Sequence, residues 1–305
     1  MRKISRVFVL LLVIGAAVAA QAYTLRYKDV AGIARTYQAT VNVKGTTTMP
    51  DKTAIPIVMV MNLTMKEKVQ SVNPDGTATI LNEMKDGTMT MTINGQEQKQ
   101  PFPAFQVTFD RTPTGKISHV KMEGQGAQMM QSMSGGNFMN QLGSGFEFPD
   151  GDLKLGDTWK MNQPIDVLPG MKFNISALFT LVGAPVRDGK NYLEITTDAN
   201  MNLPKSTMQI PNAGGNADAG GATPSMSVAM RMQGKGSTLF DTADGNIASS
   251  TMHMTMNMTM WIPDPQSGKT TQAITAMIFD TTMKLVKKEN EGVTPAPAAT
   301  PAPAQ

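Results

Sequence analysis

Methionine alternates with threonine and other polar residues over long stretches of this chain. In the clearest stretch, Thr251–Met260, every second residue is methionine. Successive side chains of a β-strand point to opposite faces of its sheet, so this pattern places methionine on one face and polar residues on the other. The alternation recurs at Val58–Met65, Thr88–Ile93 and Ser225–Met232. These stretches are predicted to be half-buried strands of an antiparallel sheet.

Short turn sequences separate the predicted strands, and no long helical pattern lies between them. Glycine follows asparagine or aspartate in these turns, which is typical of tight hairpins because glycine adopts positive φ without strain. The turn sequences are Asn73-Pro74-Asp75-Gly76, Lys85-Asp86-Gly87, Asn94-Gly95, Arg187-Asp188-Gly189 and Ala243-Asp244-Gly245. The chain is therefore predicted to be all-β and antiparallel.

Turn motifs occur at similar places in two halves of the chain. The segments Phe109–Ile117 and Phe240–Ile247 both begin with Phe-Asp and end with a turn glycine followed two residues later by isoleucine. An Asp-Gly hairpin precedes each of them. A duplicated β unit explains this economically, so we predict two related antiparallel curved sheets or half-barrels. The first unit is residues 23–123 and the second is residues 150–288.

Residues 124–149 lie between the two units and do not alternate. Apolar positions that include Met129 and Met133 approximate helical spacing, although Gly135 and Gly136 interrupt it. We predict a short helical or irregular connector there, which would act as a lid or plug if the sheets enclose a cavity.

The N-terminal sequence predicts export. Arg2, Lys3 and Arg6 precede an apolar run of 14 residues, 7–20, and Ala20-Gln21-Ala22 fits a signal-peptidase site. We expect residues 1–22 to be a signal peptide and the mature protein to be soluble in the periplasm or outside the cell. The apolar run is shorter than the approximately 20 residues of a membrane span.

The charge balance and the C-terminal composition exclude some functions. Without Arg2, Lys3 and Arg6 the chain has 24 basic and 24 acidic residues, and no basic patch favours nucleic-acid binding.

Residues 289–305 end in a Pro/Ala-rich sequence, which predicts a disordered tail. No protein partner is indicated by the sequence.

The 27 methionines among 305 residues have three interpretations. They fill a closed β core, as Val, Leu and Ile do elsewhere; they line an adaptable concave face for lipid or another apolar ligand; or they bind Cu(I) together with His253. Alternation on a strand directs His253 away from the methionines, which argues against copper. The candidate ligand-binding residues are Met230, Met252, Met254, Met256, Met258, Met129, Met133 and Trp261.

One segment resembles a known family. Phe148–Trp159, with Lys154, Gly156, Asp157, Thr158 and Trp159 in a K-x-G-D-T-W pattern, is similar to a segment of uncharacterised exported bacterial β proteins. The general plan is similar to half-barrel lipoprotein carriers of the LolA and LppX type. This resemblance implies an exported β fold and brings no catalytic residue.

Enzyme signatures are weak in this sequence. His119 and His253 are the only histidines, no cysteine is present, and no G-x-S-x-G, H-E-x-x-H or phosphate-loop pattern occurs. We therefore expect a non-catalytic envelope protein without cofactor or metal, which binds an apolar ligand such as lipid through a Met-rich concave face. A structural or protein-interaction module with a closed Met-rich core is the alternative, and a periplasmic Cu(I)-binding protein is the second alternative.

Overall fold

The structure, a computed structural model, describes residues 21–124, 147–168, 171–209, 225–263 and 270–292. In these ranges the chain is all-β and antiparallel, which confirms the predicted fold class. Across the same ranges, no helical segment has the length and hydrophobicity that a membrane span requires. The predicted signal peptide and the predicted connector with Met129 and Met133 lie outside the described residues.

All of the described strands belong to one sheet with the order β6-β5-β3-β2-β1-β13-β12-β11-β10-β8-β7, while β4 pairs with β3 and β9 with β10. The strands are β1 (Ile33–Thr48), β2 (Ala54–Val72), β3 (Ala78–Ile93), β4 (Gln96–Phe102), β5 (Phe105–Arg111), β6 (Ile117–Glu123), β7 (Thr158–Leu168), β8 (Met171–Gly183), β9 (Val186–Arg187), β10 (Lys190–Gln209), β11 (Ser225–Asp241), β12 (Asn246–Pro263) and β13 (Thr270–Asn290).

The two predicted units join edge to edge within this sheet. β1 to β6 meander from the centre of the sheet to one edge, and β7 to β13 meander from the other edge back to the centre. Antiparallel pairing of β1 with β13, from Ile33 opposite Asn290 to Thr48 opposite Ile274, connects them. The same pairing extends β13 two residues into the predicted tail. The proposed duplication stays a prediction.

Four of the five predicted turns lie between strands. In the β3–β4 hairpin, Asn94 and Gly95 have φ of 51° and 78°, as a tight two-residue hairpin requires. The predicted turn at Lys85-Asp86-Gly87 is wrong, because β3 continues through it with a register shift opposite Thr64 and Met65. The extra residue is a β-bulge, where β3 changes its second partner from β5 to β4.

The sheet is strongly curved. Ile117 of β6 and Ile247 of β12 line one cavity of about 210 Å³. In a flat sheet these strands would be about 29 Å apart, since six spacings of about 4.8 Å separate them. The face that carries both residues is therefore concave. We call the space that it bounds the trough.

A strap, residues 23–32, closes one end of the trough. Tyr23 pairs with Leu153, the backbone N–H of Tyr27 donates to the carbonyl of Pro113 (2.8 Å), and that of Lys28 donates to the carbonyl of Gly245 (3.1 Å). The strap thus contacts turns in both halves of the sheet. Curvature at this end is held by these crossing hydrogen bonds.

The largest buried apolar cluster of the described residues lies at this closed end. Tyr27 stacks on Phe148 at a centroid distance of 5.2 Å, and Phe240 meets both rings edge-on at 5.9 and 5.1 Å. The cluster combines strap, segment 147–157 and sheet: Leu25, Tyr27, Phe148, Leu153, Ala177, Phe179, Leu181, Leu193, Ile195 and Phe240. Such aromatic and aliphatic burial is the main stabilising contribution at the closed end.

Candidate functional site

The methionines of β12 share the concave face of the trough. Met252, Met254, Met256 and Met258 are partly buried, whereas the alternating residues Thr251, His253, Thr255 and Asn257 are exposed on the convex face. The predicted alternation is therefore present in the structure, and the thioethers are covered more than the polar residues.

Cross-strand pairing arranges the concave residues in rows. Each row is named after its β12 methionine. The Met256 row is Gly45, Met277, Met256, Met232, Met201 and Ile175. The Met254 row is Met59, Val43, Phe279, Met254, Gly234, Ala199 and Ala177. The Met258 row is Thr47, Thr275, Met258, Met230 and Leu203. Together the rows form a surface that is apolar except for the hydrogen-bonded pair Thr47 and Thr275. At the Met254 row it measures about 29 Å across seven strands.

Three glycines allow methionines to lie flat on this surface. A Cβ atom at Gly234 would be 2.5 Å from Cγ of Met254, and one at Gly45 would be 2.7 Å from Cγ of Met277. A Cβ atom at Gly236 would be 3.1 Å from Sδ of Met252. The thioether chains therefore cover the backbone of the neighbouring strands, which explains how they are partly buried on an open sheet.

The structure brings together most of the predicted ligand-binding residues. Met230, Met252, Met254, Met256 and Met258 lie on the concave face. Trp261 does not join them, because its place in the alternation puts it on the convex face, where Lys205 Nζ lies 4.4 Å from the ring centroid.

His253 is also separated from the methionines. It lies on the convex face with its Nδ1 atom 2.6 Å from an Asp280 carboxylate oxygen. The mixed methionine–histidine set that the copper hypothesis requires is thus not assembled. No group of three or more His, Cys, Asp or Glu side chains in the described ranges is arranged to hold a metal ion.

Four charged side chains form a buried ion network at the closed end: Asp29, Arg35, Glu67 and Arg111. Arg111 binds Asp29 through Nε and Nη2 (3.1 and 2.8 Å) and binds Glu67 through Nη1 and Nη2 (both 3.1 Å). Arg35 Nη1 donates to both Glu67 (2.8 Å) and Asp29 (3.1 Å). The network joins the strap to β1, β2 and β5 and carries no net charge.

Burial makes this network depend on all of its members. The side chains of Arg35 and Asp29 are only 1% and 2% exposed. Burial by itself raises the pKa of Glu67, but Arg111 and Arg35 outweigh it and hold that pKa below its usual value. An unpaired charge in this position would lower the free energy of unfolding, because the remaining partners are buried and cannot regain water.

A cavity of about 210 Å³, here called the floor cavity, lies next to the network. Glu67 and Arg111 line it together with Tyr27, Tyr37 and Asn246. Burial raises the pKa of Tyr27 to about 12, and it also raises the pKa of Tyr37. Both phenols are therefore protonated at neutral pH. Met65 and Met283 line its apolar side and connect it to the trough.

Sequence reasoning missed the ion network although a signal was present. Arg35 precedes Tyr37 and Ala39 in the alternation of β1, Glu67 follows Leu63 and Met65 in that of β2, and Arg111 follows Phe109. Each charge therefore continues an apolar face. Two arginines and one glutamate in such positions indicate buried ion pairing.

The K-x-G-D-T-W segment forms the corner that leads into β7. Gly156 has φ of 92°, the Asp157 carboxylate accepts the backbone N–H of Lys154 (2.8 Å), and Trp159 stacks on Phe179 at 5.3 Å. The Trp159 indole N–H donates to the carbonyl of Glu147 (3.0 Å). These contacts give the motif a structural role.

No family model matches the chain, and no curated protein sequence matches it. The chain is similar to a solved structure entitled "Lipid-protein interactions in lipovitellin" (10% identity, 90% of this chain, 27% of that chain, TM-score 0.48). It is also similar to Pseudomonas aeruginosa OccK7 (OpdD) (6% identity, 84% of this chain, 99% of that chain, TM-score 0.27). The chain thus spans about a quarter of the lipovitellin chain. Likenesses at this level carry no inference about what the chain binds, and the expected family stays a prediction.

Replacement of Arg111 by methionine should destabilise the fold. The Arg111→Met variant leaves Asp29 and Glu67 buried with Arg35 as their only partner in the network, so we expect a loss of about 3–5 kcal/mol in the free energy of unfolding. Urea unfolding followed by circular dichroism measures it. Arg231→Met, at an exposed position of β11, should change stability by less than about 0.5 kcal/mol. Equal losses in both variants would contradict the role of the network.

The contribution of Glu67 should disappear in acid. Its pKa is lower in the folded than in the unfolded chain, so its contribution is complete above the unfolded pKa and is lost as the pH falls through the folded pKa. The difference in unfolding free energy between wild type and Glu67→Gln should therefore be largest near pH 7 and shrink below about pH 4. Urea titrations over this range test the prediction, with the exposed Glu97→Gln as control. A difference independent of pH would contradict it.

Proposed function

We propose that the protein binds the hydrocarbon chain of a lipid-like ligand in the trough and that it acts without catalysis. One observation carries this proposal: adjacent strands β11, β12 and β13 place methionines side by side on a concave face where they are only partly buried. A face that only served as a closed core would bury these side chains completely.

Partly buried apolar side chains leave hydrophobic area that a ligand can cover. Removing apolar surface from water contributes about 25 cal/mol per Å² to the free energy of binding. Between Met252 and Met260 the concave face of β12 extends about 26 Å along the strand. This length suits an extended hydrocarbon chain.

The chemistry of the surface favours an apolar and variable ligand. Methionine side chains are unbranched and polarisable, and they adapt to ligands of different shape. The concave positions of β11, β12 and β13 in the three methionine rows include no ionisable side chain. The trough therefore offers no acid, base or nucleophile along these rows, which supports binding rather than chemistry.

Curvature favours a lipid chain over a protein partner. A flat apolar face would suit another sheet or a helix, but residues of β6 and β12 approach the same small cavity here. A concave surface contacts a slender ligand on more than one side, as small-molecule sites do.

Met256 should be central to ligand binding. The variant Met256→Glu places a carboxylate in the middle of the trough, and covering it with hydrocarbon costs its hydration. We expect the affinity for monolauroylglycerol, an uncharged probe, to fall at least tenfold in isothermal titration. Thr255→Glu is the matched control, because the adjacent residue faces the convex side.

Circular dichroism should show both variants folded. Native mass spectrometry of wild-type protein from producing cells should also show co-purified lipid. If the wild type neither binds the probe nor retains lipid, or if both variants bind equally, the proposed function is wrong.

We also propose that the protein acts after export. Tyr23, the expected first residue of the mature chain, already pairs with Leu153, so cleavage after Ala22 would leave the strap intact. Intact-mass measurement of protein from the periplasmic fraction should give a chain that begins at Tyr23. Protein found only in the cytoplasm with residues 1–22 attached would contradict export.

A further inference from the structure

The floor cavity contains a buried amide whose hydrogen bonds are not made. Asn246 is 1% exposed and lines the cavity, and among the described residues neither its Nδ2 nor its Oδ1 atom has a hydrogen-bond partner. The amide lies close enough to the Tyr37 hydroxyl for a weak interaction that acts to lower the pKa of Tyr37, but the two groups do not have the geometry of a full hydrogen bond. A buried amide in this state destabilises a fold, because it has lost water without replacement. Its presence in a cavity points to a ligand group that completes its hydrogen bonds.

The charge of the cavity wall restricts what this group can be. Glu67 and Arg111 line the cavity, but they are paired with each other and with Asp29 and Arg35. Two carboxylates and two guanidinium groups cancel, so no net charge is left to balance a charged ligand. The remaining polar side chains at the wall are neutral hydrogen-bonding groups: the amides of Asn82 and Asn246 and the phenols of Tyr27 and Tyr37.

The floor cavity is continuous with the trough. Met283 lines the cavity and lies on the same face of β13 as Met277 and Phe279, since these residues are separated by even numbers of positions on a regular strand. On β2, Met65 continues the face of Met61 and Leu63 in the same way. One ligand can therefore occupy the apolar rows and the cavity together. At about 210 Å³ the cavity is smaller than a complete ligand site and has room for one polar end.

We propose that the floor cavity binds the uncharged, hydrogen-bonding end of an amphipathic lipid, such as the glycerol end of a monoacylglycerol, with Asn246 as its central partner. This inference rests on the proposed function, since the hydrocarbon part of the same molecule would lie along the methionine rows. A hydroxyl or ester group can accept from Nδ2 of Asn246, and a hydroxyl group can donate to Oδ1.

Three probes with similar hydrocarbon chains and different polar ends test the inference: monolauroylglycerol, laurate and dodecyltrimethylammonium. Their affinities for the full-length protein are measured by isothermal titration below the concentrations at which they form micelles. We expect monolauroylglycerol to bind about tenfold more tightly than either charged probe, because a charged end would lose its hydration in a cavity without a counter-charge.

Two variants identify the residues that recognise the polar end. Asn246→Leu retains the approximate volume of the side chain and should weaken monolauroylglycerol binding about tenfold, the size expected for one buried hydrogen bond. Its unfolding midpoint should be equal to or higher than that of wild type, since an unpartnered amide is removed. Tyr37→Phe removes one hydroxyl group and should weaken the same probe in the same direction. Asn257→Leu, at an exposed convex position of β12, is the matched control and should bind like wild type.

The outcomes separate this inference from the proposed function. If all three probes bind wild type equally, or a charged probe binds most tightly, the trough binds hydrocarbon but the cavity does not select an uncharged end. If Asn246→Leu and Tyr37→Phe both retain full affinity for monolauroylglycerol, the cavity holds only water and the inference is overturned. If none of the probes binds wild type, the proposed function fails and this inference fails with it.

Discussion

The shape of the trough depends on the ion network at its closed end. Asp29 belongs to the strap, and the other members belong to β1, β2 and β5, so the network fastens the strap to the first half of the sheet. The strap in turn bonds to Pro113 and Gly245 in turns of both halves. An open sheet has no barrel closure to maintain its curvature. These crossing contacts maintain the curvature at one end, and they do so with paired charges whose separation is costly.

The closed end and the open face of the sheet have different roles. Buried aromatic and aliphatic residues such as Phe240 and Leu193 stabilise the closed end. The methionine rows extend away from it, and among the described residues their methionines lie over the backbone at Gly45, Gly234 and Gly236. Valine or isoleucine could not lie over a neighbouring strand in this way, because branching at Cβ fixes the side chain upright. Long unbranched thioethers can instead lie over the neighbouring backbone, and the proposed ligand would displace them.

Local patterns in the sequence predicted much of this structure. Alternation identified the strands and their faces because a strand has a period of two, and Asn94-Gly95 identified a hairpin because both residues adopt positive φ. Contacts between distant residues could not be predicted in this way. The pairing of β1 with β13 and the bulge at Lys85 depend on which strands become neighbours. The ion network was readable in part, as charges on apolar faces, but its partner Asp29 lies in an irregular segment with no periodicity.

Two unfavourable features of the described residues have a common explanation. Apolar side chains remain partly exposed along the methionine rows, and the amide of Asn246 remains without hydrogen bonds at the floor. A closed core would remove the first feature, and a leucine at position 246 would remove the second. The proposed amphipathic ligand would satisfy both features, because its hydrocarbon chain would cover the rows and its uncharged end would reach the amide. Natural proteins retain such unfavourable groups mainly where binding requires them. Under the proposed function, the trough and the floor cavity are therefore two parts of one site.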